Sequence, residues 1–247
     1  MRNVTETVKQ LIIINIIFFI GTQILGDVAY KYLSLYYPEN PDFKYWQPLT
    51  HMFMHGNVIH IFFNMFALFS FGTALEQMWG AKKFLFFYIS CGLGAAFIHI
   101  LSNYYFFHEG LNTLLANGIQ KSEILQVLGE GKYDSRWTEI LSKSGFESFT
   151  SAFVTPAVGA SGAIYGILVA FAFMFPNAEL ALMFIPIPIK AKYFVPVIVS
   201  LDLFSGVTGF SVFGGGIAHF AHVGGALFGF LMVWYWKKNQ FNSNRWN

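Results

Sequence analysis

Two reactive side chains stand in apolar stretches beside glycines. Ser161 lies in Gly159-Ala160-Ser161-Gly162-Ala163-Ile164-Tyr165-Gly166. Small neighbours leave its hydroxyl accessible, and at a helix start the backbone N–H groups lack intrahelical partners and can face an oxyanion. His222 lies in Ala218-His219-Phe220-Ala221-His222-Val223-Gly224-Gly225, with Gly229 beyond. Gly162 and Gly166, like Gly225 and Gly229, are spaced so that two membrane helices can pack at short distance. One helix then offers a serine and the other an imidazole. A third constellation is His60 and Asn64, four apart on one helical face, with His51 and His55 before them. Polar side chains inside membrane spans are costly and are functional candidates by default.

Taken singly, each of these has a structural reading as well. The serine stretch is also a packing motif, His60 with Asn64 also serves as interhelical glue, and His222 suits a proton path or a loop cap. A metal reading of His51, His55 and His60 is disfavoured, because no carboxylate or cysteine joins them and no HExxH occurs. No metal and no other cofactor is expected.

The elements that must carry these groups are membrane helices. Only 11% of the 247 residues are charged, against about a quarter in soluble domains, and mean hydropathy is +0.51. Residues 10–26, 45–75, 84–108, 148–178 and 203–236 contain no Asp, Glu, Lys or Arg. All but the first exceed the roughly 20 residues that cross a bilayer. The expected fold is an all-α polytopic membrane protein, a six-transmembrane-helix bundle forming a single membrane domain over residues 1–247. Its spans are placed at about residues 9–26, 57–75, 84–102, 157–175, 190–206 and 216–236. The apolar run after Lys9 resembles a signal peptide but lacks a small-residue cleavage site, so it is read as an uncleaved first span. Residues 178–189, with Pro186 and Pro188, are expected to form a tight interfacial loop.

Residues 103–152 break the pattern with six acidic and four basic positions in short amphipathic pieces. They read as a partly helical extramembrane insertion, too short to bury much core. With the N-terminus inside, nine Lys and Arg fall on the cytoplasmic side (Arg2, Lys9, Lys82, Lys83, Lys190, Lys192, Lys237, Lys238, Arg245) and six fall outside. That bias favours cytoplasmic termini, and it places Ser161 and His222 toward the outer end of their spans. A net charge of +2 is too small and scattered for a nucleic-acid surface, and the single Cys91 excludes an intrachain disulfide framework.

In combination and order these motifs resemble the rhomboid family of intramembrane serine proteases over about residues 45–235. HMFMHGNVIHIFFN resembles the family's histidine-rich second-span segment ending in HxxxN. Glu76 matches its acidic position, GASGAIYG its GxSG motif with the following tyrosine, Asp202 its acidic position near the fifth span, and AHVGG its sixth-span histidine motif. The resemblance implies a Ser-His dyad with Ser161 as nucleophile and His222 as general base. A dyad agrees with the lack of a carboxylate in the outer halves of spans two, four and six. It further implies that His60 and Asn64 join the Ser161 amide in an oxyanion hole, that Tyr165 packs on the catalytic imidazole, and that His55 supports loop geometry or water retention. Substrates would be single-span membrane proteins, cut in or near the transmembrane segment where the helix unwinds. A water-filled cavity would then open to the outer side, with segment 206–216 lining it or moving as a cap. Two departures stand out: the 103–152 insertion is longer than the compact family form has, and Lys44, Tyr45 and Trp46 replace the Trp-Arg signature of the first outer loop.

The expected setting is therefore the lipid bilayer of a bacterial inner membrane, with transmembrane proteins as partners. The competing reading is a catalytically inactive relative that binds membrane-protein clients; such proteins lack the serine or the histidine. A small transporter using the histidines as a proton route would predict paired inverted repeats, which the sequence does not contain.

Overall fold

A computed structural model describes residues 4–182, 185–210 and 218–243. Arg2 and Arg245 of the charge count, the start of the sixth span at 216–217, and all but the first five residues of the expected cap at 206–216 lie outside the described residues. The long helices are α1 (Glu6–Leu25), α2 (Val58–Trp79), α3 (Ala81–Ala116), α4 (Lys121–Gly129), α5 (Lys143–Val154), α6 (Ser161–Met174), α7 (Ala191–Thr208) and α8 (His219–Ser243). Among the described residues, α1, α2, α3 and α7 are each long and apolar enough by themselves to cross a membrane.

Local chemistry marks the boundaries. Asn57 caps α2, its side chain accepting the His60 backbone N–H at 2.8 Å. Gly80, at φ 76°, ends α2 in a conformation that favours glycine and turns the chain into α3. Within α2, residues Leu68–Gly72 form one π-helical turn. Glu76, near the inner end of α2, accepts the Thr7 and Val8 backbone N–H groups at 3.0 and 2.9 Å and the Thr5 hydroxyl at 2.5 Å. A carboxylate thus satisfies the orphan donors at the start of α1 and fixes that helix to the bundle.

The core is a three-helix contact in which α3, α6 and α8 each pack on the other two, and glycine dictates the spacing. A methyl group at Gly225 would stand 1.8 Å from the Gly162 carbonyl oxygen, and one at Gly229 would stand 2.6 Å from the Gly166 Cα. On the other face of α6, Gly162 abuts Ala95 and Gly166 abuts Cys91, both on α3. With no hydrophobic drive between helices in lipid, this backbone proximity is what dispersion forces have to work with.

Three features differ from the reading of the sequence. Helix α3 continues for 36 residues, about 54 Å, well past residue 102. Ser102, Asn103, His108 and Glu109 look like a span terminus, yet Phe107, Leu111 and Leu114 keep helical spacing through them and are buried. These residues build a second core with Ile124, Leu128, Trp137, Phe149 and Phe153. The insertion therefore buries a real core, because it borrows the outer half of a membrane helix as one wall. Tyr37 of the first loop joins that core, and Asn40 donates to the Phe153 carbonyl at 2.8 Å.

Residues 178–189, read from the sequence as a tight loop, contribute to an antiparallel strand pair, β1 (Glu179–Leu182) and β2 (Ile185–Lys190). Finally, α6 has only 14 residues, about 21 Å, shorter than a roughly 30 Å hydrocarbon core. Residues 155–160 lead into it as non-helical backbone.

Gly225→Ala forces α6 and α8 apart and is expected to destabilise the protein by about 1–3 kcal/mol or more. Gly21→Ala, a position in α1 with nothing within 4 Å of the added carbon, is expected to leave stability unchanged or raised by roughly 0.5–1 kcal/mol. Thermal unfolding of both variants in detergent checks the contrast.

Candidate active site

Ser161 is the first residue of α6, so its backbone N–H precedes the intrahelical ladder. The approach to it is held from two sides. Leu35 and Ala157 exchange backbone hydrogen bonds, each at 2.9 Å, and Gly159 N–H donates to the His51 carbonyl at 2.9 Å. Gly159 has φ +130°, a conformation that side chains rarely adopt, and an added carbon there would lie 2.9 Å from the His60 ring and 3.4 Å from Ser161 Oγ. Glycine at 159 therefore both makes the turn and admits the imidazole.

His222, in the first turn of α8, places Nε2 2.8 Å from Ser161 Oγ. Tyr165, one turn beyond Ser161, stacks on the His222 ring with centroids 4.3 Å apart and planes 12° from parallel. The three groups, which the sequence placed on two helices, thus meet.

His60 faces the same space from α2. Its Nδ1 accepts the Gly56 backbone N–H at 3.4 Å, which leaves Nε2 as the protonated nitrogen, near Gly159 and Ser161. Asn64 is buried one turn further; its amide donates to the His60 carbonyl at 2.8 Å, and Oδ1 has no hydrogen-bond partner among the described residues. His55 is fully buried, with its ring 5.0 Å from that of His60 in an edge-on contact. His51 is also buried, its Nδ1–H donating to the Gln47 carbonyl at 3.0 Å.

The carboxylate was the missed member. Asp202, 1% exposed on α7, has Oδ1 3.2 Å from His222 Nδ1 and 2.6 Å from His219 Nδ1. The Tyr165 hydroxyl also donates to Asp202. Spans two, four and six lack a carboxylate in their outer halves, as the sequence indicates; the one beside His222 comes from α7, at the acidic position near the fifth span. A signal was present: Asp202 is the one acid between Glu179 and the C-terminus, in an otherwise apolar helix.

A serine hydroxyl on an imidazole nitrogen, near unpaired N–H donors, is the arrangement of an activated nucleophile. Known proteins bear on it. The family model described as "Rhomboid domain" matches residues 42–119 and 137–239. The chain belongs to the rhomboid family. Residues 120–136, which hold α4, fall between the two matched segments of the rhomboid domain.

Among relatives, the chain is 29% identical over 186 residues to Rhomboid protein 1, mitochondrial, of Saccharomyces cerevisiae, covering 75% of this chain and 40% of that protein. It is 26% identical to Presenilin-associated rhomboid-like protein A, mitochondrial, of Danio rerio, covering 83% and 41%. It is 27% identical to Rhomboid protease AarA of Providencia stuartii, covering 76% and 54%. The chain thus spans about two fifths to one half of the length of these rhomboid relatives.

Burial pushes His51 down to about 4 and His55 down to about 3, from an ordinary 6.5. The folded protein keeps both neutral, while the unfolded chain takes up protons below about 6.5. Stability is therefore fully present above that pH and is lost as pH falls toward 4. Thermal midpoints in detergent should drop over this range, and His51→Gln should flatten the dependence.

Proposed function

We propose that the chain is an intramembrane serine endopeptidase that cleaves single-span membrane proteins in or near their transmembrane segments. The observation that carries this reading is the 2.8 Å contact between His222 Nε2 and Ser161 Oγ, built between two helices of a membrane bundle.

Ser161 Oγ attacks the scissile carbonyl carbon while its proton passes to His222 Nε2. The carbonyl π pair moves onto oxygen, and the resulting oxyanion is stabilised by the Ser161 backbone N–H and the His60 Nε2–H, with Asn64 holding the His60 turn in place. Collapse of the tetrahedral adduct breaks the C–N bond, and His222 returns the proton to the leaving amine. Water, deprotonated by His222, then hydrolyses the acyl-serine and frees the second product. Such donors act most strongly where water is scarce, as it is within a membrane bundle.

A regular substrate helix hides its carbonyls in internal hydrogen bonds, so cleavage requires a segment that unwinds. The Lys and Arg distribution supports cytoplasmic termini and a site that opens to the outer side. We propose a bacterial inner membrane as its setting; the relatives named above include both mitochondrial and bacterial proteins. The alternative, an inactive client-binding rhomboid, is disfavoured by the presence of both Ser161 and His222 in bonding contact.

Purified protein should cleave a fluorogenic single-span reporter and react with a fluorophosphonate at Ser161. Ser161→Ala and His222→Ala should abolish cleavage without unfolding the protein, and His60→Ala should lower kcat by about 10²–10³ through loss of an oxyanion donor. Cleavage that survives Ser161→Ala removes this reading. Wild-type protein that neither cleaves nor labels supports the client-binding alternative.

A further inference from the structure

Catalysis by this serine and histidine, as proposed above, raises a question that two residues alone leave open: which imidazole nitrogen carries the proton. A neutral histidine has one N–H and one acceptor nitrogen, and only the tautomer with its proton on Nδ1 leaves Nε2 free to accept from Ser161. Stacking against Tyr165 fixes the plane of the ring but does not choose between the tautomers.

We infer that Asp202 is a positioning residue that makes the choice, so that the site works as a Ser161–His222–Asp202 array, with His219 and Tyr165 holding the carboxylate in place. Asp202 Oδ1 faces His222 Nδ1 at 3.2 Å while Nε2 on the opposite edge faces Ser161 Oγ at 2.8 Å. An ionised carboxylate only accepts hydrogen bonds, so the nitrogen that meets it must be the one that bears hydrogen. The same oxygen meets His219 Nδ1 at 2.6 Å, three residues earlier on α8, and the Tyr165 hydroxyl donates to Oδ2.

Each contact comes from a different direction. His219 and His222 project from α8, Tyr165 from α6 and Asp202 from α7, so the carboxylate joins three helices at one point. An acid kept only to glue α7 to the bundle would need one donor from a neighbour. This one is buried, takes three, and one of the three is the ring of the base itself. As the serine proton arrives, His222 becomes cationic, and Asp202 lies where it stabilises that charge without accepting the proton.

The test compares wild type with Asp202→Asn and Asp202→Glu, as full-length protein in detergent. It measures kcat and KM on the fluorogenic reporter, the rate of fluorophosphonate labelling at Ser161, and the thermal midpoint. Asparagine keeps the shape and can still meet Tyr165, but it can present an N–H to His222 and so favours the wrong tautomer. In soluble serine proteases the corresponding change lowers kcat by about 10⁴. Here Asp202→Asn should lower kcat and the labelling rate together by at least about 10²-fold. KM should stay within a few-fold of wild type, and Asp202→Glu should recover part of the loss.

A merely structural carboxylate predicts a different pattern: a lowered thermal midpoint with the labelling rate of the surviving folded protein unchanged. That pattern, or a kcat for Asp202→Asn within a few-fold of wild type, overturns the inference. If Asp202→Asn does not fold, Asp202→Glu decides alone: it keeps the charge but displaces the carboxylate, so folded protein that labels and cleaves clearly more slowly than wild type, yet above the Ser161→Ala background, supports the role, and labelling at the wild-type rate or at background refutes it. Failure of the underlying reading is separable, because wild type itself would then neither cleave nor label.

Discussion

The structure depends on how closely α6 and α8 approach. Ser161 and His222 are 61 positions apart in sequence, and the 2.8 Å between their reactive atoms exists because Gly162 meets Gly225 and Gly166 meets Gly229, backbone against backbone. A side chain at Gly225 or Gly229 would push the two helices apart by more than a hydrogen bond tolerates. Glycine is an expensive residue inside a helix in water; in lipid, where the helix has nowhere to unfold to, it becomes the way to set a distance. The small residues of α3, Ala95 and Cys91, hold the opposite side of α6 at the same close range.

Much of this arrangement was legible in the residues. Charge-free runs marked the membrane helices, the four-residue glycine spacing marked which of them touch, and the histidines and serine stood out because polar groups in lipid require a reason. Two things were harder to see. The outer half of α3 hides behind polar residues at 102, 103, 108 and 109, and its buried face becomes visible only when Phe107, Leu111 and Leu114 are read as a continuing helical stripe. Asp202 was visible as an isolated acid, but its target was not, since sequence alone does not say which face of α7 turns toward α8. Linear order also separated His219 from any role, although it shares a carboxylate oxygen with His222.

The loops form a frame around the serine. The short bridge between Leu35 and Ala157 and the bond from Gly159 to His51 tie segment 155–160 to the loop that follows α1, and that loop is in turn pinned to the second core through Tyr37 and Asn40. Buried His55 and His51 lie in the same frame, which couples the neutrality of two histidines to the placement of the segment leading to Ser161.

The 36-residue helix α3 has a mechanical consequence. Its N-terminal half carries Ala95, against which the serine helix rests, and its C-terminal half is a wall of the second core. A continuous helix is stiff along its axis, so the two bodies share one rod and cannot tilt independently. Any displacement of the C-terminal half of α3 is therefore carried along the rod to the surface that seats Ser161.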